Sequence, residues 1–178
     1  MNARFVLDAS PLIHLARAGL SSMLEGMEGE KYTVPAVFNE LVQRGKGLGY
    51  PEASVIELLN DRGVIEVRAP SLRNAEMINA VHRDLHEGEA EVIALAKEMG
   101  AVAILDDGVA RAVARLQGVR MEGTYGIILR AVAGGLMPKD EAEGALGRLI
   151  SSGWRCDIEL YNRLLKLIRE VGASGPRS

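Results

Sequence analysis

The amino-acid sequence predicts an α/β domain with a central, mainly parallel sheet covered by helices. Three observations lead there. Short apolar, β-favouring runs alternate along the chain with helix-periodic segments, the pattern of parallel strands joined by crossover helices. The 178 residues, 48% of them hydrophobic, suit one domain of ordinary size and exclude general disorder. No internal repeat, low-complexity block or Pro/Gly-rich linker divides the chain.

The elements follow in order. Phe5-Val6-Leu7 is a strand that stops at Asp8, and Ser10-Pro11 starts a helix whose Leu12, Ile13, Leu15 and Ala16 form an apolar stripe up to Gly19. Tyr32-Thr33-Val34 is a second strand, and Pro35 opens a helix running to about Gln43. Residues 45–49 read as a loop, and Pro51 begins a short helix ending near Asn60. A strand over 64–67 precedes helices over 72–85 and 87–99, the second closed by Gly100. Residues 101–105 form a buried strand ending at Asp106-Asp107, followed by a helix over 109–116 and a strand around 119–121. Helices over 125–133, 141–150 and 158–168 complete the fold, and a mobile tail is expected from Gly172. The stripe of the last helix packs on the domain or, as the alternative, forms a dimer contact, with Trp154 and Tyr161 anchoring the region.

Charge and composition narrow the function. The 21 basic and 24 acidic side chains sum to −3, so no overall basic field advertises nucleic-acid binding. The single cysteine, Cys156, excludes an intramolecular disulfide and every multi-cysteine zinc site, in keeping with a reducing, cytoplasmic location. No apolar run approaches the ~20 residues of a membrane-spanning helix, and Asp8 interrupts any signal-peptide core.

The chemistry is expected at the strand ends, because open parallel sheets gather ligands outside their carboxyl edge. Two strands end in aspartate, so Asp8, Asp106 and Asp107 should converge there, helix capping being the plainer explanation for any one of them. At 100° per residue Glu89 shares the buried sector of Val92, Ile93 and Ala96, whereas Glu91 points toward water. Glu40 sits at the margin of the face formed by Val37, Phe38, Leu41 and Val42. Clustered carboxylates repel unless protonated or metallated. Oxygen donors without histidine or thiolate suit Mg2+ or Mn2+, and hence metal-assisted phosphodiester hydrolysis. Ser10 supports a metal water or phosphate, or serves only as a cap. Arg111, Arg115 and Arg120 reach an RNA backbone or form a solvated face. His82 and His86, four apart, read as surface residues, His14 as structural, and residues 45–49 lack the Ser or Thr of a nucleotide loop.

Taken together, Leu7-Asp8-Ala9-Ser10-Pro11, Phe38-Asn39-Glu40-Leu41-Val42, Gly88-Glu89-Ala90-Glu91-Val92 and Ile104-Leu105-Asp106-Asp107 resemble the successive motifs of PIN-domain ribonucleases, most of all the VapC-like prokaryotic branch. The resemblance covers residues 4–135. It implies a three-layer α/β/α nuclease domain over 1–135, a helical extension over 136–172 packed on it and a flexible tail over 173–178. It further implies a Mg2+- or Mn2+-dependent endoribonuclease leaving 5′-phosphates, the toxin of a VapBC-type toxin–antitoxin pair. Its partners would be RNA, an antitoxin protein and, by analogy, a second copy in a homodimer. Matched by position, Asp8, Glu40, Glu89 and Asp107 are the catalytic and metal-holding acids, with Asp106 the near alternative to Asp107 on the metal and Ser10 supporting; Arg111 and Arg115, from their place after the acidic strand end, are the substrate-binding candidates. The glutamate at the third position departs from the aspartate common among the toxins, and the stretch over 45–84 is long. A catalytically silent RNA-binding or protein-interaction module of the same fold is the alternative.

Overall fold

The computed structural model describes residues 2–171. Five parallel strands, β1 (Arg4–Leu7), β2 (Glu30–Thr33), β3 (Glu66–Val67), β4 (Val102–Ile104) and β5 (Arg120–Glu122), form one sheet in the order β3-β2-β1-β4-β5. Chain order reverses across β1: the next two strands build outward on one side, and β4 and β5 fill the other. The carboxyl ends of β1 and β4 therefore flank the switch point at which ligands of such sheets collect. Register pairs Val6 with Ala103 and Leu7 with Ile104, so the residues following these strands emerge side by side.

The sheet is apolar on both faces because both are covered. Phe5, Val6, Leu7, Ala103 and Ile104 are fully buried, as the continuous apolar reading of these strands requires. On one face α7 (Glu87–Met99) packs against β1 and β4, flanked by α3 (Pro35–Phe38), α6 (Leu72–Val81) and α8 (Gly108–Leu116). The other group gathers α1 (Ala9–Arg17), α2 (Ser22–Gly26), α5 (Pro51–Asp61), α9 (Tyr125–Ala133), α10 (Lys139–Ser151) and α11 (Ile158–Glu170). The result is a three-layer α/β/α domain, as the alternation of strands and helices predicts.

Several local expectations are corrected. Residues 45–49 are not a simple loop: α3 runs into a wider π-helical turn, Asn39–Arg44, and on through α4 (Gly45–Gly47). Gly45 is there for contact rather than as punctuation, since a Cβ on it would stand 3.2 Å from the Ala53 methyl of α5. The first helix begins at Ala9, so Ser10 lies inside it rather than capping it. The helix expected over 72–85 stops at Val81, where His82 leaves helical geometry. Helix α2 escaped the sequence pattern because five residues give no measurable period, yet its Met23 and Leu24 are buried. The stripe of α11 packs inward, with Leu164 and Ile168 buried against α9 and α10. The tail expected from Gly172 lies outside the described residues.

Candidate metal and nucleic-acid site

Asp8 follows β1 directly, and its backbone N–H donates to the Ile104 carbonyl of β4 at 3.2 Å. That bond fixes it beside the chain that carries Asp106 two residues later. Asp8 occupies the capping position of α1, but its carboxylate makes no capping hydrogen bond. The plainer explanation therefore does not account for it. The side chain is only 5% exposed, and burial pushes its pKa up to about 7. The Ala9 N–H works against that rise, while the charges of Glu89, Glu40 and Asp106 add to it.

The paired aspartates divide their work. Thr124 donates to Asp106 twice, from its N–H at 2.8 Å and from its hydroxyl at 2.6 Å, so both carboxylate oxygens are oriented. Gly123 permits this: a Cβ there would stand 2.8 Å from the Tyr125 ring and 3.2 Å from Asp106. Asp107 is exposed and caps α8, one oxygen accepting from the Val109 and Ala110 N–H groups at 2.8 and 2.9 Å. Capping thus explains part of Asp107, with its second oxygen free of hydrogen bonds among the described residues. In a chelator, Asp107→Ala is expected to lower unfolding stability by about 1 kcal/mol in chemical denaturation. An unchanged midpoint would remove the capping role.

Glu89 sits in the first turn of α7, 8% exposed, and accepts the His86 N–H at 2.9 Å. Burial raises its pKa, the His86 N–H opposes the rise, and Asp107 and Glu40 reinforce it. Glu91 does not point to water as its angle predicts. It is half-buried and accepts the Ala36 N–H at 3.0 Å, because α3 packs on α7 and its first turn needs an acceptor. Glu40 is exposed on the π-helical turn and reaches the site through its charge on Asp8 and Glu89.

These acids line a depression with two adjacent lobes, which share Asp8, Ser10, His14 and Glu89. The first, about 650 Å³, adds Asp106, Asp107 and Arg111. The second, about 730 Å³, adds Glu40, Glu87 and Glu91. Arg111 also donates to the Leu105 carbonyl at 3.0 Å, which anchors its guanidinium near the strand end. Arg115 is exposed and lines neither lobe; Arg120 donates to the Gly100 carbonyl. His82 and His86 are turn residues bounding α6 and α7, and only His86 touches the depression. Sequence reading missed Arg155, Arg17 and Arg44, which also line it, because nothing in their local pattern distinguishes a cleft-facing arginine from a solvated one.

The fit to a divalent cation rests on donor chemistry. The five carboxylates Asp8, Glu40, Glu89, Asp106 and Asp107 offer only hard oxygen donors, and among the described residues none of them forms an ion pair. A withdrawn carboxylate whose nearest charges are other carboxylates is an arrangement a cation relieves. Among the described residues no three His, Cys, Asp or Glu side chains stand close enough to enclose an ion as they are.

The sequence profile of the PIN domain family matches residues 4–170, which takes in α10 and α11 as well as the sheet. A curated relative, the Endoribonuclease Nob1 of Pyrococcus abyssi (strain GE5 / Orsay), is 30% identical over 106 residues. The alignment covers 56% of this chain and 62% of that protein. Over nearly its whole described length, from the first strand to the last helix, the chain belongs to the PIN domain family.

Proposed function

We propose that this protein is a divalent-metal-dependent endoribonuclease that hydrolyses RNA phosphodiester bonds, with Asp8, Glu40, Glu89 and Asp107 holding Mg2+ or Mn2+ and Asp106 beside them. Asp8 carries the reading: a buried carboxylate with no capping bond, surrounded by acids at the switch point of a parallel sheet. When bound, the cation polarises a phosphate oxygen and acidifies an attacking water. The chain's own residues do the positioning. Thr124 and the α8 cap hold the two aspartates still, and Ser10, exposed to both lobes, donates its hydroxyl to a phosphate oxygen or to water. Arg111 sets positive charge against the substrate phosphate. Family membership and the endoribonuclease relative support the same chemistry.

The finer reading, a toxin of a VapBC-type pair acting in the cytoplasm and restrained by an antitoxin, rests on the order of the acidic motifs. Among the described residues, no helix is long and apolar enough to cross a membrane. The separation of the carboxylates favours one competing reading, a silent RNA-binding module. Metal-free protein incubated with end-labelled RNAs decides between them. Cleavage on adding Mg2+ or Mn2+, halted by chelator and leaving 5′-phosphates, supports the nuclease. Binding without cleavage under either ion supports the module.

A further inference from the structure

The two lobes differ in their charge. In the second lobe Asp8, Glu40, Glu87, Glu89 and Glu91 face Arg17 and Arg44, and Arg17 is already committed to the buried Glu52 of α5. The first lobe sets Asp8, Glu89, Asp106 and Asp107 against Arg111, Arg155 and Arg163. Among the described residues, none of those three arginines has a carboxylate partner, whereas in the second lobe only Arg44 lacks one. Arginines left unpaired along a cleft lined with acids are disposed toward an outside anion, and an RNA backbone supplies one at every nucleotide.

The wall that carries Arg155 and Arg163 is fastened to the catalytic side of the molecule. Ser152 closes α10, and its hydroxyl lies 3.1 Å from Nδ1 of His14 on α1. Trp154 is buried, its ring centroid 6.2 Å from that of Tyr125, and its backbone N–H donates to the Leu149 carbonyl. Asp157 then caps α11 by accepting the Leu160 N–H at 2.7 Å, which starts the helix that presents Arg163. Arg155 thus follows an anchored tryptophan on a connection fixed from both ends, while its own side chain and that of Arg163 stay exposed. Preorganised backbone lowers the ordering cost of gripping a flexible strand.

We propose that Arg155 and Arg163, with Arg111, hold the backbone phosphates of the RNA strand flanking the scissile bond, so that the α10–α11 connection is the substrate-gripping wall of the cleft. The proposal rests on the nuclease reading above and adds the path of the substrate: RNA leaves the acidic centre through the first lobe.

The test compares the wild type with R155A/R163A, R155K/R163K and R44A. RNA affinity is followed across a salt series by fluorescence anisotropy in chelator, and cleavage kinetics are followed in Mg2+. Loss of two phosphate contacts on a single strand lowers the slope of log affinity against log salt by about 1.4. R155A/R163A is expected to show that fall, with affinity at least about tenfold weaker and KM raised at nearly unchanged kcat. R155K/R163K keeps the charge and restores most of the slope, and R44A leaves it alone. A slope and KM for R155A/R163A equal to those of a wild type that cuts RNA overturn the clamp and leave the nuclease standing. An R44A slope that falls by the ~0.7 of one lost phosphate contact overturns the assigned path. A wild type that neither binds nor cuts RNA defeats the nuclease reading itself. Arg44, Arg155 and Arg163 all being exposed, unchanged circular dichroism is expected for every variant.

Discussion

Asp8→Asn is expected to reduce RNA cleavage by about a thousandfold or more while the protein keeps its fold and its grip on RNA. The substitution preserves shape and removes one negative charge from the side chain with the strongest claim on a cation. A thousandfold loss corresponds to about 4 kcal/mol of transition-state stabilisation, a scale suited to losing a charge-stabilising element of an active site rather than a peripheral contact. The fold is retained because the position already favours a neutral group, and because the Asp8 N–H, which bonds to Ile104, is untouched. In the proposed clamp Arg111, Arg155 and Arg163 hold the backbone without Asp8, so RNA affinity is expected to be unchanged. Cleavage by Asp8→Asn at wild-type rates would remove Asp8 from the chemistry.

The second large effect is on stability, and it runs opposite to activity. The folded Asp8 carboxyl has its pKa raised from 3.8 to about 7, so the folded protein holds that proton more tightly than the unfolded chain does. Its contribution is fully present below the unfolded value and is lost as pH rises from about 4 through about 7. At ~1.36 kcal/mol per unit the loss approaches about 4 kcal/mol as an upper bound. Glu89, raised in the same direction by burial, adds to it. His14, whose pKa burial lowers, contributes the opposite slope, since a histidine kept neutral by the fold gains stability as pH rises. The difference between wild type and Asp8→Asn cancels the histidine. In chelator the variant should therefore be the more stable protein at pH 7.5, by a few kcal/mol, and the gap should close toward pH 4. Adding Mg2+ or Mn2+ should raise the wild-type melting temperature and leave the variant nearly unmoved. A variant less stable than wild type in chelator at pH 7.5 would mean that Asp8 serves the fold rather than a cation.

The frame of the molecule was legible because it rests on periodicity. Alternating strands and helices predicted the parallel sheet, and the parallel sheet predicted that residues after β1 and β4 share one edge. Glu89 followed from helix geometry alone. The misreadings were cases in which a side chain serves another element. Glu91 looked solvated on its own helix, yet it supplies the acceptor that α3 needs for the Ala36 N–H. Gly45 looked like a loop residue, yet it makes room for Ala53. Arg155 and Arg163 carried no signal for the same reason. Their place beside the acids depends on Trp154 docking near Tyr125 and on Ser152 meeting His14, contacts between residues far apart in the chain.

The convergence of these carboxylates on a divalent cation is tested most directly by anomalous diffraction from crystals soaked in Mn2+. The expected result is a manganese peak at the carboxyl edge of the sheet, in contact with Asp8 and bordered by Glu89 and the Asp106-Asp107 pair, which disappears in Asp8→Asn crystals treated identically. Manganese bound only elsewhere, or a peak at that edge that persists without the Asp8 charge, would contradict it.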